Sequence, residues 1–176
     1  MKHLRNPLAA ALVLVSAVAA SSLAQAREYP IGGPVQVNDM EIASSYLVGI
    51  EMAPMPPGMV MSKDSVHLET DVHATADNKY GLSNGEWVPY LTITYSLVKQ
   101  GSPDYKEIGT LLPMVAKDGA HYANNVKMDG PGTYTVVLRY ESPQIKGFFH
   151  HVDKETGVPE WWGPFTKTFT FKYPQT

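Results

Sequence analysis

Between Ser65 and Ala74 the chain alternates with a period of two. Polar, metal-competent side chains stand at His67, Glu69, Asp71 and His73, while Leu68, Thr70, Val72 and Ala74 fill the positions between. Successive side chains of a strand point to opposite faces, so the pattern predicts a β-strand with four ligand-type groups on one face. The same period runs through Leu91, Ile93, Tyr95 and Leu97, set against Thr92, Thr94 and Ser96. Tyr134 to Tyr140 is a β-branched and aromatic run, and Phe165, Phe169, Phe171 and Tyr173 alternate with Thr166, Thr168, Thr170 and Lys172. Turn clusters separate these segments: Gly32-Gly33-Pro34, Met55-Pro56-Pro57-Gly58, Asn84-Gly85 and Asp129-Gly130-Pro131-Gly132. Short strands at regular spacing, with no long amphipathic helix and no internal repeat, predict an all-β protein built as an antiparallel β-sandwich.

The first 26 residues break this pattern. Lys2, His3 and Arg5 form a basic start, an apolar run follows from Leu8 to Ala20, and Ala24-Gln25-Ala26 is a small-x-small site. This is the layout of a cleaved export signal, and the apolar run is short for a membrane span. Residues 27–176 are then one domain, large enough to bury a real core. Loss of Lys2 and Arg5 leaves 12 basic against 17 acidic residues, a formal charge of −5. Such a balance gives no reason to seek nucleic acid or anionic lipid. No later segment has the length and apolarity of a span, so the mature chain is not expected to be membrane-embedded.

The chain contains no cysteine. Disulfides and thiolate metal sites are thereby excluded, and the sandwich is expected to be immunoglobulin-like in architecture without the antibody-type bridge. Any metal must be held by imidazole, carboxylate or thioether. Beyond the signal there are five histidines: His67 and His73 on the predicted strand, His121 after the turn Asp118-Gly119-Ala120, and His150 and His151 in tandem. Met114 precedes His121 by seven residues.

Two readings of the 67–73 strand follow: an exposed polar face of an edge strand, or a metal-binding face. Side chains at i and i+2 of a strand stand roughly 6–7 Å apart, so His67 and Glu69 can converge on one ion. All four groups span roughly 20 Å, which puts Asp71 and His73 outside the same coordination shell. Nucleophilic catalysis fits poorly, since cysteine is absent and no serine has a nucleophile-elbow context. Trp161-Trp162 suits packing better than sugar stacking. Met52, Met55, Met59 and Met61 form a Pro-rich cluster that suits either a soft ion such as Cu(I) or simple packing.

Several motifs occur in order along the mature chain. They are Tyr29-Pro30-Ile31-Gly32-Gly33-Pro34, Met40-Glu41-Ile42-Ala43, His67 to Ala74, Gly85-Glu86-Trp87-Val88-Pro89-Tyr90-Leu91, Pro113 to Tyr122 and Asn125-Val126-Lys127-Met128. In this the chain resembles the bacterial periplasmic iron-transport protein family, soluble partners of inner-membrane iron permeases. The resemblance implies an immunoglobulin-like homodimer in the periplasm that supports high-affinity iron uptake. It implies binding of Cu(II), with Fe(II)/Fe(III) and Mn(II) as other metals, near the dimer interface. The family's His-x-Glu motif matches His67 and Glu69, and its Met-x6-His motif matches Met114 and His121. A further family histidine corresponds to His151, with His150 as the competing choice. The expected role is binding and delivery rather than catalysis, with an accessory iron redox role as an extension. A copper-trafficking or copper-resistance protein is the alternative, motivated by the Met52–Met61 cluster.

Overall fold

The computed structural model describes residues 27–175; the predicted signal at 1–26 and Thr176 lie outside the described residues. Among the described residues there are eight strands: β1 (Tyr29–Val37), β2 (Met40–Leu47), β3 (Ser65–Ala74), β4 (Thr92–Lys99), β5 (Ser102–Ala116), β6 (Gly119–Lys127), β7 (Gly132–Glu141) and β8 (Phe165–Tyr173). A single 3-10 turn spans Pro143–Lys146. Every strand pairing is antiparallel, in the order β1-β2-β3-β6-β5-β4-β7-β8.

The fold is the expected all-β sandwich, and one strand explains how its halves join. The first two thirds of β5 pair with β4, ending at Ile93 opposite Leu111. From Leu112 onward β5 pairs with β6 instead, with Leu112 opposite Ala123. The chain thus changes sheets in mid-strand, and the two halves face each other across a common core. At the other side the end strands nearly meet: Gln175 Nε2 donates to the Pro30 carbonyl at 2.8 Å, and the Gln175 amide donates to the Tyr46 hydroxyl at 2.8 Å.

Alternation dictates the core. Ile93, Tyr95 and Leu97 of β4 and Tyr134, Val136, Leu138 and Tyr140 of β7 are buried, as the period of two requires. From the opposite half Ile42, Tyr46, Val66, Leu68, Val72 and Tyr122 complete the layer. Burial of each large apolar side chain contributes on the order of 2 kcal/mol, before the entropy of ordering is set against it.

The edge-strand reading of residues 67–73 does not hold. β3 lies between β2 and β6, hydrogen-bonded on both sides. Val66 to Thr70 are buried on both faces of the strand, with His67 4 % and Glu69 8 % exposed. A histidine and a carboxylate withdrawn from water in a central strand require compensation, and the neighbouring strands supply only part of it.

Candidate metal centre

The outer face of β3 is the floor of the site, and cross-strand register places its neighbours. On β2, Ser45 stands opposite Glu69 and Leu47 opposite His67. On β6, Asn125 stands opposite His67 and Ala123 opposite Glu69. His121 lies two residues from Ala123 and so projects from the same face as Glu69 and Asp71. The seven-residue spacing of Met114 and His121 has a simple cause. Ala116 pairs with Gly119 across a two-residue turn, and counting back along the hairpin sets Met114 directly opposite His121. Tyr122 anchors this part of β6 from the core side: its hydroxyl donates to the Val88 carbonyl at 2.8 Å and accepts the Leu91 amide at 3.0 Å, and Trp87 stacks on its ring at 4.9 Å.

His67, Glu69 and His121 are all buried, and each offers a ligand atom within 4.8 Å of the others. The two imidazoles meet edge to face, with centroids 5.9 Å apart. His121 Nε2 lies 3.7 Å from Glu69 Oε2, while Glu69 Oε1 accepts the Ser45 hydroxyl at 2.8 Å. His67 Nδ1 is 2.8 Å from Asn125 Oδ1. The Asn125 amide nitrogen donates to Met61 Sδ at 3.2 Å, which fixes Oδ1 as an acceptor and makes His67 Nδ1 the protonated nitrogen. His67 Nε2 therefore keeps its lone pair. A histidine whose second nitrogen is tied to an oxygen acceptor is the usual arrangement for a metal ligand.

The titration behaviour fits the same purpose. Burial pushes the Glu69 carboxyl up to about 7, against the opposing Ser45 hydrogen bond and with help from Asp71, Glu28 and Asp118. Burial pulls His67 below its ordinary value, partly countered by Asn125, with the charge of His121 adding to the fall. Burial also raises Asp71, which His121 and His73 partly offset. An imidazole that resists protonation at His67, beside a carboxylate that ionises reluctantly at Glu69, describes a site short of one positive charge. A divalent cation supplies that charge and accepts imidazole and carboxylate donors. The residues present therefore fit a bound metal.

These side chains open onto a cavity of about 340 Å³, whose wall also includes Leu47, Met52, Met114 and Asp118. Met114, half-buried, brings a thioether to the three buried donors. A second recess of about 180 Å³ adjoins the first, sharing Glu69, Asp118 and His121 and adding Glu28, Asp71 and His73. Carboxylate oxygens of Glu28, Glu69 and Asp71 come within 4.8 Å of one another. Asp71 and His73 thus face this acidic recess. Glu28 and Asp118 had no signal in the sequence: one is a lone carboxylate near the chain start, the other a turn residue, and only folding brings them to Glu69.

His151 is not brought to the cavity. It lies on the segment after the 3-10 turn, its side chain 75 % exposed, with Nδ1 2.7 Å from Thr156 Oγ1. His150 sits against Trp161, centroids 6.2 Å apart. Of the methionine cluster, Met52 lines the cavity and Met61 contacts Asn125, while Met55 and Met61 are exposed.

A family model described as "Fe2+ transport protein" matches residues 25–174. A UPF0423 protein of Brucella abortus is 45 % identical over 172 residues, covering 95 % of this chain and 93 % of its own. The 34 kDa membrane antigen of Treponema pallidum is 37 % identical over 135 residues, 74 % of this chain and 65 % of that one. Among solved structures, FetP of uropathogenic Escherichia coli, expressed in the periplasm, is 48 % identical with a TM-score of 0.77, over 84 % of this chain and 96 % of that one. Copper-reconstituted P19 of Campylobacter jejuni is 43 % identical with a TM-score of 0.76, over 84 % and 97 %.

Proposed function

This chain belongs to the Fe2+ transport protein family, and on that premise we propose that it binds a divalent metal in the periplasm and hands iron to an inner-membrane permease. The observation that carries this reading is the buried set of His67, Glu69 and His121, with Met114 at the same cavity. Its donors suit Cu(II), Fe(II)/Fe(III) and Mn(II). Copper binds such sites more tightly than Fe(II), so a site that takes copper in vitro can serve iron in the cell. The copper-bound FetP and P19 relatives support the same chemistry here. Among the described residues no helix is long and apolar enough to cross a membrane, and the segment at 1–26 supports export.

We further infer a homodimer in which His151 of one copy completes the shell of the other. Phe149 and Val152 beside it are 81 % and 84 % exposed. Large apolar side chains held in water mark an interaction surface. An apolar groove of about 410 Å³, lined by Trp87, Leu91, Leu111, Pro113 and Tyr122, offers a place for them. Trp87 Nε1 and Thr92 Oγ1 are buried there without hydrogen-bond partners.

Copper in a mixed imidazole, carboxylate and thioether shell is open to both Cu(II) and Cu(I). This supports an accessory step in which Fe(II) is oxidised and copper reduced. Stopped-flow mixing of Fe(II) with copper-loaded protein tests it, and a rate no greater than that of the metal-free protein ends it.

Anomalous scattering at the copper, iron and manganese edges, on crystals of residues 27–176, tests the site itself. A peak among His67, Glu69, Met114 and His121 is expected; its absence with all three metals removes the reading. Copper trafficking is the second reading, favoured by Met52 on the cavity wall. Growth of a deletion strain separates the two: failure under iron restriction supports iron delivery, whereas copper sensitivity with normal iron growth supports copper handling.

A further inference from the structure

The segment carrying His151 is a closed turn with one internal relay. The Val158 amide donates to the His151 carbonyl at 3.0 Å, and the Gly157 amide donates to the Asp153 carbonyl at 2.9 Å. A Cβ on Gly157 would stand 2.3 Å from that carbonyl, so the turn needs glycine there. Inside it, Asp153 Oδ1 accepts the amides of Glu155 at 3.1 Å and Thr156 at 2.9 Å. Asp153 Oδ2 accepts the Thr156 hydroxyl at 2.7 Å. Thr156 Oγ1 in turn lies 2.7 Å from His151 Nδ1.

The proton count settles the direction. A threonine hydroxyl has one proton, and here it goes to Asp153 Oδ2. Toward His151 the hydroxyl can only accept. In the neutral imidazole Nδ1 therefore carries the proton, and Nε2 keeps the lone pair. The same order rules out a threonine nucleophile, because the imidazole does not take the hydroxyl proton. The hydrogen bond between His151 Nδ1 and Thr156 Oγ1 favours one tautomer and one ring orientation.

We propose that Thr156 and Asp153 are positioning residues that hold His151 in the Nδ1–H tautomer, presenting Nε2 as a preformed ligand for the divalent metal of a second copy. This rests on the reading of His151 as a donor across the homodimer. Metal-bound histidines nearly always donate their second N–H to an oxygen acceptor. His67 does so through Asn125, and His151 does so through Thr156. Fixing the ring before association lowers the ordering cost of binding.

Two substitutions separate this role from simple turn capping. Thr156→Val removes the acceptor while keeping shape, and Thr156→Ser restores it. Asp153→Asn keeps an oxygen for the two backbone amides but turns an N–H toward Thr156 Oγ1. The hydroxyl proton then swings to His151 Nδ1, and Nε2 takes the imidazole proton. The experiment uses the mature chain with Cu(II) as the probe, read by titration and electron paramagnetic resonance. Long-range nitrogen–proton NMR of the metal-free protein reads the tautomer. The expected result is a fall in Cu(II) affinity of about 10–100-fold for Thr156→Val and Asp153→Asn, with recovery in Thr156→Ser. The Thr156→Val copper spectrum should move toward that of His151→Ala, and the His151 tautomer should invert in Asp153→Asn. If His151→Ala leaves the copper spectrum unchanged, His151 is no ligand, and both readings fall together. If His151→Ala changes it but Thr156→Val and Asp153→Asn match wild type, His151 remains a donor and the positioning role alone is overturned.

Discussion

At the proposed metal site the cost of burial falls heavily on Glu69. Its carboxyl titrates near 4.5 when exposed and is pushed up to about 7 by burial. A raised carboxyl contributes stability that is fully present below the unfolded value and is lost as pH rises through the folded one. The metal-free protein should therefore lose stability at this residue between pH about 4.5 and about 7. His67, shifted down by burial, works in the opposite sense: its contribution is present above its unfolded value of 6.5 and lost as pH falls. Comparing Glu69→Gln with wild type isolates the carboxylate. In chelator near neutral pH the variant should be more stable by about 1–2 kcal/mol, and the gap should close in acid. Thermal melts at both pH values check this; an equal gap at both would mean that ionisation is not the cause. The same variant should bind Cu(II) more weakly, because an amide oxygen cannot supply the anionic donor. Met114→Leu should reduce copper affinity with little change in melting temperature, since the residue is only half-buried. His121→Ala should cost more affinity, because it removes a buried donor 3.7 Å from Glu69. Isothermal titration of both variants tests the order, and unchanged affinity in both would remove these residues from the site.

At the scale of elements, the β5–β6 hairpin turns sequence spacing into site geometry. Met114 and His121 oppose each other because Lys117 and Asp118 alone form the turn between Ala116 and Gly119. Inserting one glycine after Lys117 shifts the register by one residue and turns one of the two side chains to the other face. Metal affinity should then fall as far as in His121→Ala; circular dichroism of the sheet reports whether the fold survives. This element also shows what the sequence made readable. Alternation around His67 and Glu69 revealed the face, because it is local and periodic; Met114 and His121 were paired only through the family resemblance, and the hairpin that sets them opposite each other appeared with the structure. Burial of β3 was not readable, since the same alternation describes a solvated edge strand as well as a central one. That distinction depends on β2 and β6 flanking β3, and β6 lies some fifty residues away in sequence. Ser45, Asn125, Glu28 and Asp118 stayed hidden for the same reason: they reach the site through register and chain path, and no spacing in their own segments marks them. The mid-strand exchange of β5 between β4 and β6 was likewise silent.

At the scale of the whole molecule, the proposed homodimer turns on which copy would supply His151. The structure keeps it on an exposed segment, away from the cavity of its own chain. In the proposed two-fold dimer both sites are equivalent, and each would draw His67, Glu69, Met114 and His121 from one copy and His151 from the other. Complementation tests this without a structure of the complex. His67→Ala damages every site in its own homodimer, and so does His151→Ala. Mixed under conditions that exchange subunits, they form a heterodimer with one wholly intact site and one doubly damaged site. Random exchange makes half the dimers heterodimers, so tight Cu(II) binding should recover to about one quarter of the wild-type amount. If His151 served its own chain, every site in the mixture would lack one donor, and no tight binding would return. A chain that never dimerises would give the same flat result, so the mixture is read beside sedimentation of each variant. Phe149→Asp, which places a charge on the exposed arm, should shift the wild-type protein toward monomer and weaken copper binding together. A loss of dimer with unchanged affinity would place all the donors within one chain.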